Sequence, residues 1–133
     1  MAKESLNPPG TPKPLGPYVN VTVVPPGGRF VFCAGTVAFD EDGEIVGVGD
    51  IVAQTRQVME NLKLALAAGG ATFADVVKIV NYVTDVTEYP KIAPVRAEYL
   101  TEPYPVSTMV EVSGLMVPEL LIEIEATAVV HDD

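Results

Sequence analysis

The chain has 133 residues, 48% apolar and 20% charged, which suits one globular domain with a core of its own. With 18 acidic against 8 basic residues, a net charge of −10 and no run of Lys or Arg, a nucleic-acid partner is disfavoured. No apolar run approaches the roughly 20 residues of a membrane span, and a single Cys and a single His leave no internal disulfide or His/Cys zinc site.

Residues 1–17 are rich in proline and read as an irregular, extended lead-in to a single domain; with no apolar core this stretch does not look like a signal peptide. Tyr18–Val24 alternates as a strand and Pro25-Pro26-Gly27-Gly28 turns the chain. Arg29–Ala38 is a second strand. Its run Phe30-Val31-Phe32-Cys33 predicts burial on both faces, and Gly35 marks a bulge or a close backbone approach. Glu41-Asp42-Gly43 is a turn before a short extended piece at Glu44–Val48.

Asp50 then caps a helix in which Ile51, Thr55, Val58, Met59, Leu62 and Leu66 keep to one face, and Gly69-Gly70 stops it. Val76–Thr84 is a strand with Ile79, Asn81 and Val83 on one side. Thr87 can cap a second helix, running to about Leu100 with Tyr89 and Ile92 inward. Val106–Val112 alternates again, with Ser107, Met109 and Glu111 on one side. The clearest strand is the last, Leu121–Val130. Ile122, Ile124, Ala126, Ala128 and Val130 share one face, while Glu123 and Glu125 project from the other, roughly 7 Å apart.

The order β-β-(β)-α-β-α-β-β implies an α+β fold, a mixed sheet with two helices on one face. The uncovered face, expected to carry Tyr82, Met109 and Val129, is a liability in a monomer and predicts a ring-like homo-oligomer with clefts between copies.

Several separated segments carry a family resemblance: Gly16-Pro17-Tyr18, Phe32-Cys33-Ala34-Gly35, Gln54 to Leu62, Val77-Lys78, Val83-Thr84-Asp85, Tyr104-Pro105, Val110-Glu111-Val112 and Ile122-Glu123-Ile124-Glu125-Ala126. From about Leu15 to Val130 the chain resembles the RidA/YjgF/YER family of reactive-intermediate deaminases. The resemblance implies a chorismate-mutase-like (YjgF-like) fold, a homotrimer, and small-molecule sites in the inter-subunit clefts. In active members an arginine of the fifth strand holds the carboxylate of a 2-imino acid. Here Pro105-Val106-Ser107-Thr108-Met109 puts Ser107 at that position, Met109 at the small cleft residue and Ala93 at a helix Asn. Losing a buried charged partner costs roughly 2–5 kcal/mol, or about 30- to several-thousand-fold in affinity or rate. Arg96, one turn beyond Ala93 on the same helix, is the candidate replacement cation.

The expected site is therefore Glu123 as the catalytic acid that positions water, with Tyr18, Gly35, Arg96, Ser107 and Met109 binding substrate. Each also has a plain alternative: a solvated strand carboxylate for Glu123, a subunit-edge aromatic for Tyr18, packing for Met109, a surface helix residue for Arg96. Two functions follow. One is an imine or enamine deaminase, shifted away from small 2-imino acids and needing no metal or organic cofactor. The other is a non-catalytic binding or interaction trimer on the same scaffold. Ribonuclease activity, also attached to this family, is disfavoured by the acidic balance and by a lone His131. A cytoplasmic location is expected from the unpaired Cys33.

Overall fold

In the computed structural model, which describes residues 3–132, the elements run β1 (Glu4–Leu6), β2 (Val21–Val23), β3 (Arg29–Thr36), α1 (Ile51–Ala68), β4 (Val76–Val83), α2 (Tyr89–Ala97), β5 (Val106–Glu111) and β6 (Ile122–Val130). The last four strands of this series form one sheet in the order β3-β6-β4-β5. β6 is central and antiparallel to both neighbours, whereas β4 and β5 are parallel, joined by the crossover through α2. The sheet is mixed and both helices lie on one face. This is the expected α+β architecture.

The alternation of β6 sets the layers. Ile122, Ile124, Ala126 and Ala128 face the helices, where they meet Ile79 and Val83 of β4, Val58, Met59, Leu62 and Leu66 of α1, and Ile92 of α2. Fully burying each of the large side chains stabilises the fold by roughly 1.5–3 kcal/mol. α1 has the predicted limits. The Asp50 carboxylate accepts from the Ala53 amide at 3.1 Å, and Gly70 takes a left-handed φ of 76° just beyond the last turn. Gln54, fully buried on this helix, bonds the Gly47 and Glu119 carbonyls and accepts from the Leu121 amide at 2.8 Å. It thereby fixes where β6 begins.

Four expectations need correction. The lead-in is not wholly irregular: Glu4–Leu6 pairs with Val21–Val23 in a separate two-stranded ribbon, so the second segment does not join the main sheet as a full strand. Val19 makes a parallel backbone bridge to Val106 of that sheet, and Thr22 Oγ1 donates to the Val77 carbonyl at 3.1 Å. β3 is not buried on both faces, because it is an edge strand whose Phe30 and Phe32 point away from the helices and are 61% and 73% exposed. Thr87 does not cap the second helix: it lies in a 3-10 turn, Val86–Glu88, whose cap is Asp85, accepting from the Thr87 amide, and the α-helix that follows has no side-chain cap and ends at Ala97. Finally, Met109 is on the helix side. In the parallel β4/β5 register it lies beside buried Asn81 and packs on the core, while Val129 is buried. The exposed apolar groups of the open face are Phe30, Phe32 and Val110.

Among the described residues no helix is long and apolar enough to cross a membrane.

Candidate functional site

The expected residues gather in two clusters on opposite faces of the sheet. The first lies on the open face. Glu123 and Glu125 project from β6 opposite Tyr82 and Val80 of β4. The Tyr82 hydroxyl donates to the Glu125 carboxylate. That bond, with burial second, holds the phenol above its ordinary value. Glu125 thus has a partner within its own chain.

Glu123 has a different neighbour. The β3/β6 register shifts between Cys33 and Thr36, and Gly35 sits in this irregularity. A Cβ at Gly35 would stand 1.9 Å from Glu123 Oε2. The glycine is therefore required for space: the carboxylate lies directly against the bulged backbone. Glu123 is half-buried, and among the described residues it takes part in no ion pair. A half-buried carboxylate with free lone pairs can accept from a water and orient it.

The second cluster lies on the helix side, at the β5 edge. α2 places Tyr89, Ile92 and Arg96 on one stripe at the spacing of successive turns. Arg96 is not a surface residue; it is 1% exposed. Its Nη2 donates to Ser107 Oγ at 3.2 Å and its Nη1 to Asn81 Oδ1 at 3.3 Å. Asn81 Nδ2 donates to the same Ser107 oxygen at 3.0 Å and to the Thr108 carbonyl at 2.8 Å. Both lone pairs of Ser107 Oγ are taken, so its proton is left to be given outward. The structure thus brings together Arg96 and Ser107, the position at which the family resemblance places a strand arginine.

Every partner of the Arg96 guanidinium is neutral. Among the described residues its Nε has no partner, and neither does the buried hydroxyl of Tyr89. Burial lowers the Arg96 pKa, while Tyr89 and Tyr18 pull the other way; burial likewise raises the Tyr89 phenol against the pull of Arg96. A buried cation without a counter-charge is expensive, of the order of several kcal/mol after relaxation.

Above this cluster lies the turn Gly16–Tyr18, closed by the Tyr18 amide donating to the Gly16 carbonyl at 2.8 Å and tied to β5 by Val19 N–H to Pro105 O at 3.0 Å. A Cβ at Gly16 would meet Tyr89 Oη at 2.3 Å, so the turn rests on that hydroxyl. The Tyr18 hydroxyl accepts from the Leu15 amide at 3.1 Å. Beside the turn is a cavity of about 430 Å³ lined by Lys13, Gly16, Tyr18 and Tyr104 among others. A larger one, about 650 Å³, sits between Asp50, Asp85 and Lys91 and contains none of the expected site residues.

Within one chain the two clusters cannot share a ligand: β4 stands between β5 and β6, and the side chains leave opposite faces. Two participants escaped the sequence reading. Asn81 was visible as the polar member of an apolar strand face, a signal that a buried polar residue needs a buried partner. Tyr89 carried no such signal, since an aromatic on a helix stripe reads as core.

The Endoribonuclease L-PSP family model matches residues 9–130. A RutC family protein of Pyrococcus abyssi is 44% identical over 129 residues, 96% of this chain and 98% of the relative. A protein of Acinetobacter baylyi named 3-aminoacrylate deaminase RutC is 41% identical over 128 residues, 96% and 98% of the two chains. Among solved structures, YyfB of Yersinia pestis, a Rid-family protein of unknown function, has a TM-score of 0.89 at 36% identity and covers 98% of this chain and 100% of its own. The match runs through the bulge at Gly35, the Arg96 helix and the Glu123 strand alike: the chain belongs to the RidA/YjgF family.

Proposed function

We propose that the protein is a deaminase that hydrolyses a reactive imine or enamine to a carbonyl compound and ammonia, at sites formed between copies of the chain in a homotrimer. The observation that carries this reading is Arg96: a buried guanidinium with only neutral partners among the described residues, bonded to Ser107 at the strand position where active relatives are expected to carry their arginine. The division of the candidate residues between two faces supports a site completed by a second copy, and exposed Phe30 and Phe32 supply apolar surface for that contact. The relative named 3-aminoacrylate deaminase supports the reaction class.

In this reading the cation side, with Arg96, Ser107, Met109 and Tyr18, binds an acidic imine. Glu123 of the neighbouring copy, lodged against Gly35, holds the water. Water adds to the carbon of the protonated C=N bond, the proton passes to nitrogen, and ammonia leaves as the carbonyl forms. The protonated imine is already electrophilic, so positioning and desolvation supply much of the catalysis and no cofactor is required. Because the cation comes from α2 and not from β5, small 2-imino acids are poor substrates. A cytoplasmic location is part of the same proposal, on the strength of the lone buried thiol of Cys33.

The test is ammonia release from freshly generated imines, with 2-iminopropionate, bulky aromatic 2-imino acids, 3-aminoacrylate and an imine without a carboxylate. Acceleration of at least one acidic imine, abolished in Glu123→Gln, is expected. No acceleration across the panel would leave a non-catalytic binding trimer, which the buried, already hydrogen-bonded Arg96 would also suit as a ligand anchor.

A further inference from the structure

On the open face, two carboxylates of β6 are kept apart by a tyrosine of β4. Glu123 and Glu125 alternate along the strand, so they leave the same face roughly 7 Å apart at their roots. Tyr82 is the register partner of Glu123, yet its hydroxyl reaches diagonally past it and donates to Glu125. The phenol keeps its proton through neutral pH, because that bond, with burial second, holds it above its ordinary value.

Glu125 is thereby drawn toward β4. Glu123 leans the other way, toward β3, where the bulge leaves room beside Gly35. β3 offers it space but no charge: its Cys33 belongs to the core on the other side. β5 presents uncharged Thr108 and Val110 to this face. Lys78, the cation on this face of β4, lies opposite Thr127 and forms no ion pair among the described residues. What presses Glu123 onto the bulge is the ring of Tyr82 across from it and repulsion from a like charge that is fixed in place.

We propose that Tyr82 and Glu125 form a positioning pair for Glu123: the phenol anchors the Glu125 carboxylate on the β4 side, and the ring and the anchored charge hold the Glu123 carboxylate against the Gly35 bulge, where it can aim a water. Without the hydroxyl, Glu125 swings free over β6, competes for the same water and pushes Glu123 off its place. Both residues act through Glu123 and neither needs to touch substrate. The consequence for turnover rests on the deaminase reading; the placement of Glu123 does not.

Two variants and two readouts test the pair. Tyr82→Phe removes only the hydroxyl. It should lower kcat for ammonia release about three- to tenfold with KM unchanged, the size expected of one like-charge contact at this spacing between water and protein surface. Adding Glu125→Gln to Tyr82→Phe removes the loosened charge and should return kcat to within about twofold of wild type. A merely structural role for the bond cannot give that rescue, since the double variant lacks the bond as well. The amide resonance of Gly35, followed by NMR in the isotope-labelled assembled protein, reports the placement of the carboxylate without catalysis. It should move in Tyr82→Phe and return in the double variant. That pattern with no imine hydrolysis by any variant would uphold the pair while refuting the deaminase. An unchanged kcat in Tyr82→Phe, a loss that Glu125→Gln fails to rescue, or a Gly35 resonance that does not move and return would each overturn the pair.

Discussion

The carboxylate cluster and the cation cluster solve opposite problems with the same sheet. Glu123 leaves the open face, half in water, and needs only room, which the bulge at Gly35 provides. Arg96 is driven into the helix side, where a charge must be compensated, and receives an amide and a hydroxyl in place of an anion. The first arrangement costs the fold little. The second leaves a desolvated charge incompletely satisfied, which is a feature expected of a site awaiting a ligand more than of a core built for stability. The contrast teaches where each half can be damaged: Glu123 through geometry, Arg96 through chemistry.

The largest effect should come from the open face. Glu123→Gln keeps the shape and removes the base, so turnover should fall by about 10²–10⁴ with stability unchanged. A retained rate, measured by ammonia release, would take Glu123 out of the reaction. Gly35→Ala is the geometric counterpart. Its methyl group would stand 1.9 Å from Glu123 Oε2, and the displaced carboxylate should cost up to about a hundredfold in kcat. Undiminished activity would mean that Glu123 does not need its place against the bulge.

On the cation side the expected effects are thermodynamic and of opposite sign. Replacing Arg96 by Met and its amide acceptor Asn81 by Leu removes a buried charge together with the group it satisfies. In denaturant unfolding the pair should be neutral or stabilising by about 1–4 kcal/mol while carboxylate binding is lost. A loss of stability of that size would instead make Arg96 a structural residue.

The smallest effect lies outside both clusters and calibrates the comparison. Lys3, half-buried, donates to the Val76 carbonyl, and burial lowers its pKa to about 8 against the pull of Asp75. Its folded value is below the unfolded one of about 10.4, so between them the unfolded chain binds more protons and stability rises with pH. The rise should appear in melting curves between about pH 8 and 10.4 and be flattened in Lys3→Met. An identical slope in the variant would show that another group controls that window.

Much of this was legible in the chain itself. The helical stripe from Ile51 to Leu66, its Asp50 cap and Gly69-Gly70 stop, and the alternation of β6 follow from periodicity, because local geometry alone decides which face a residue takes. What failed was pairing. Edge position, which exposes Phe30 and Phe32, and the parallel register that turns Met109 toward Asn81 are set by strands distant in sequence. The same limit applied to the cation cluster. Ser107 and Arg96 were each readable as candidates from the family pattern and the helix spacing. That they touch, and that Asn81 and Tyr89 join them, depends on the packing of α2 over β4 and β5, which no single segment encodes.

The central claim is that neither cluster works within one chain. Subunit complementation tests it directly. Glu123→Gln and Arg96→Met variants, each inactive alone, are co-expressed and isolated as mixed assemblies, and ammonia release is measured on the best acidic imine. With the site shared across a heterologous ring interface, mixed trimers should recover about a third of the wild-type rate, because one of the three interfaces in each joins an intact Arg96 side to an intact Glu123 side. Mixed assemblies that form normally yet recover no activity would contradict the account.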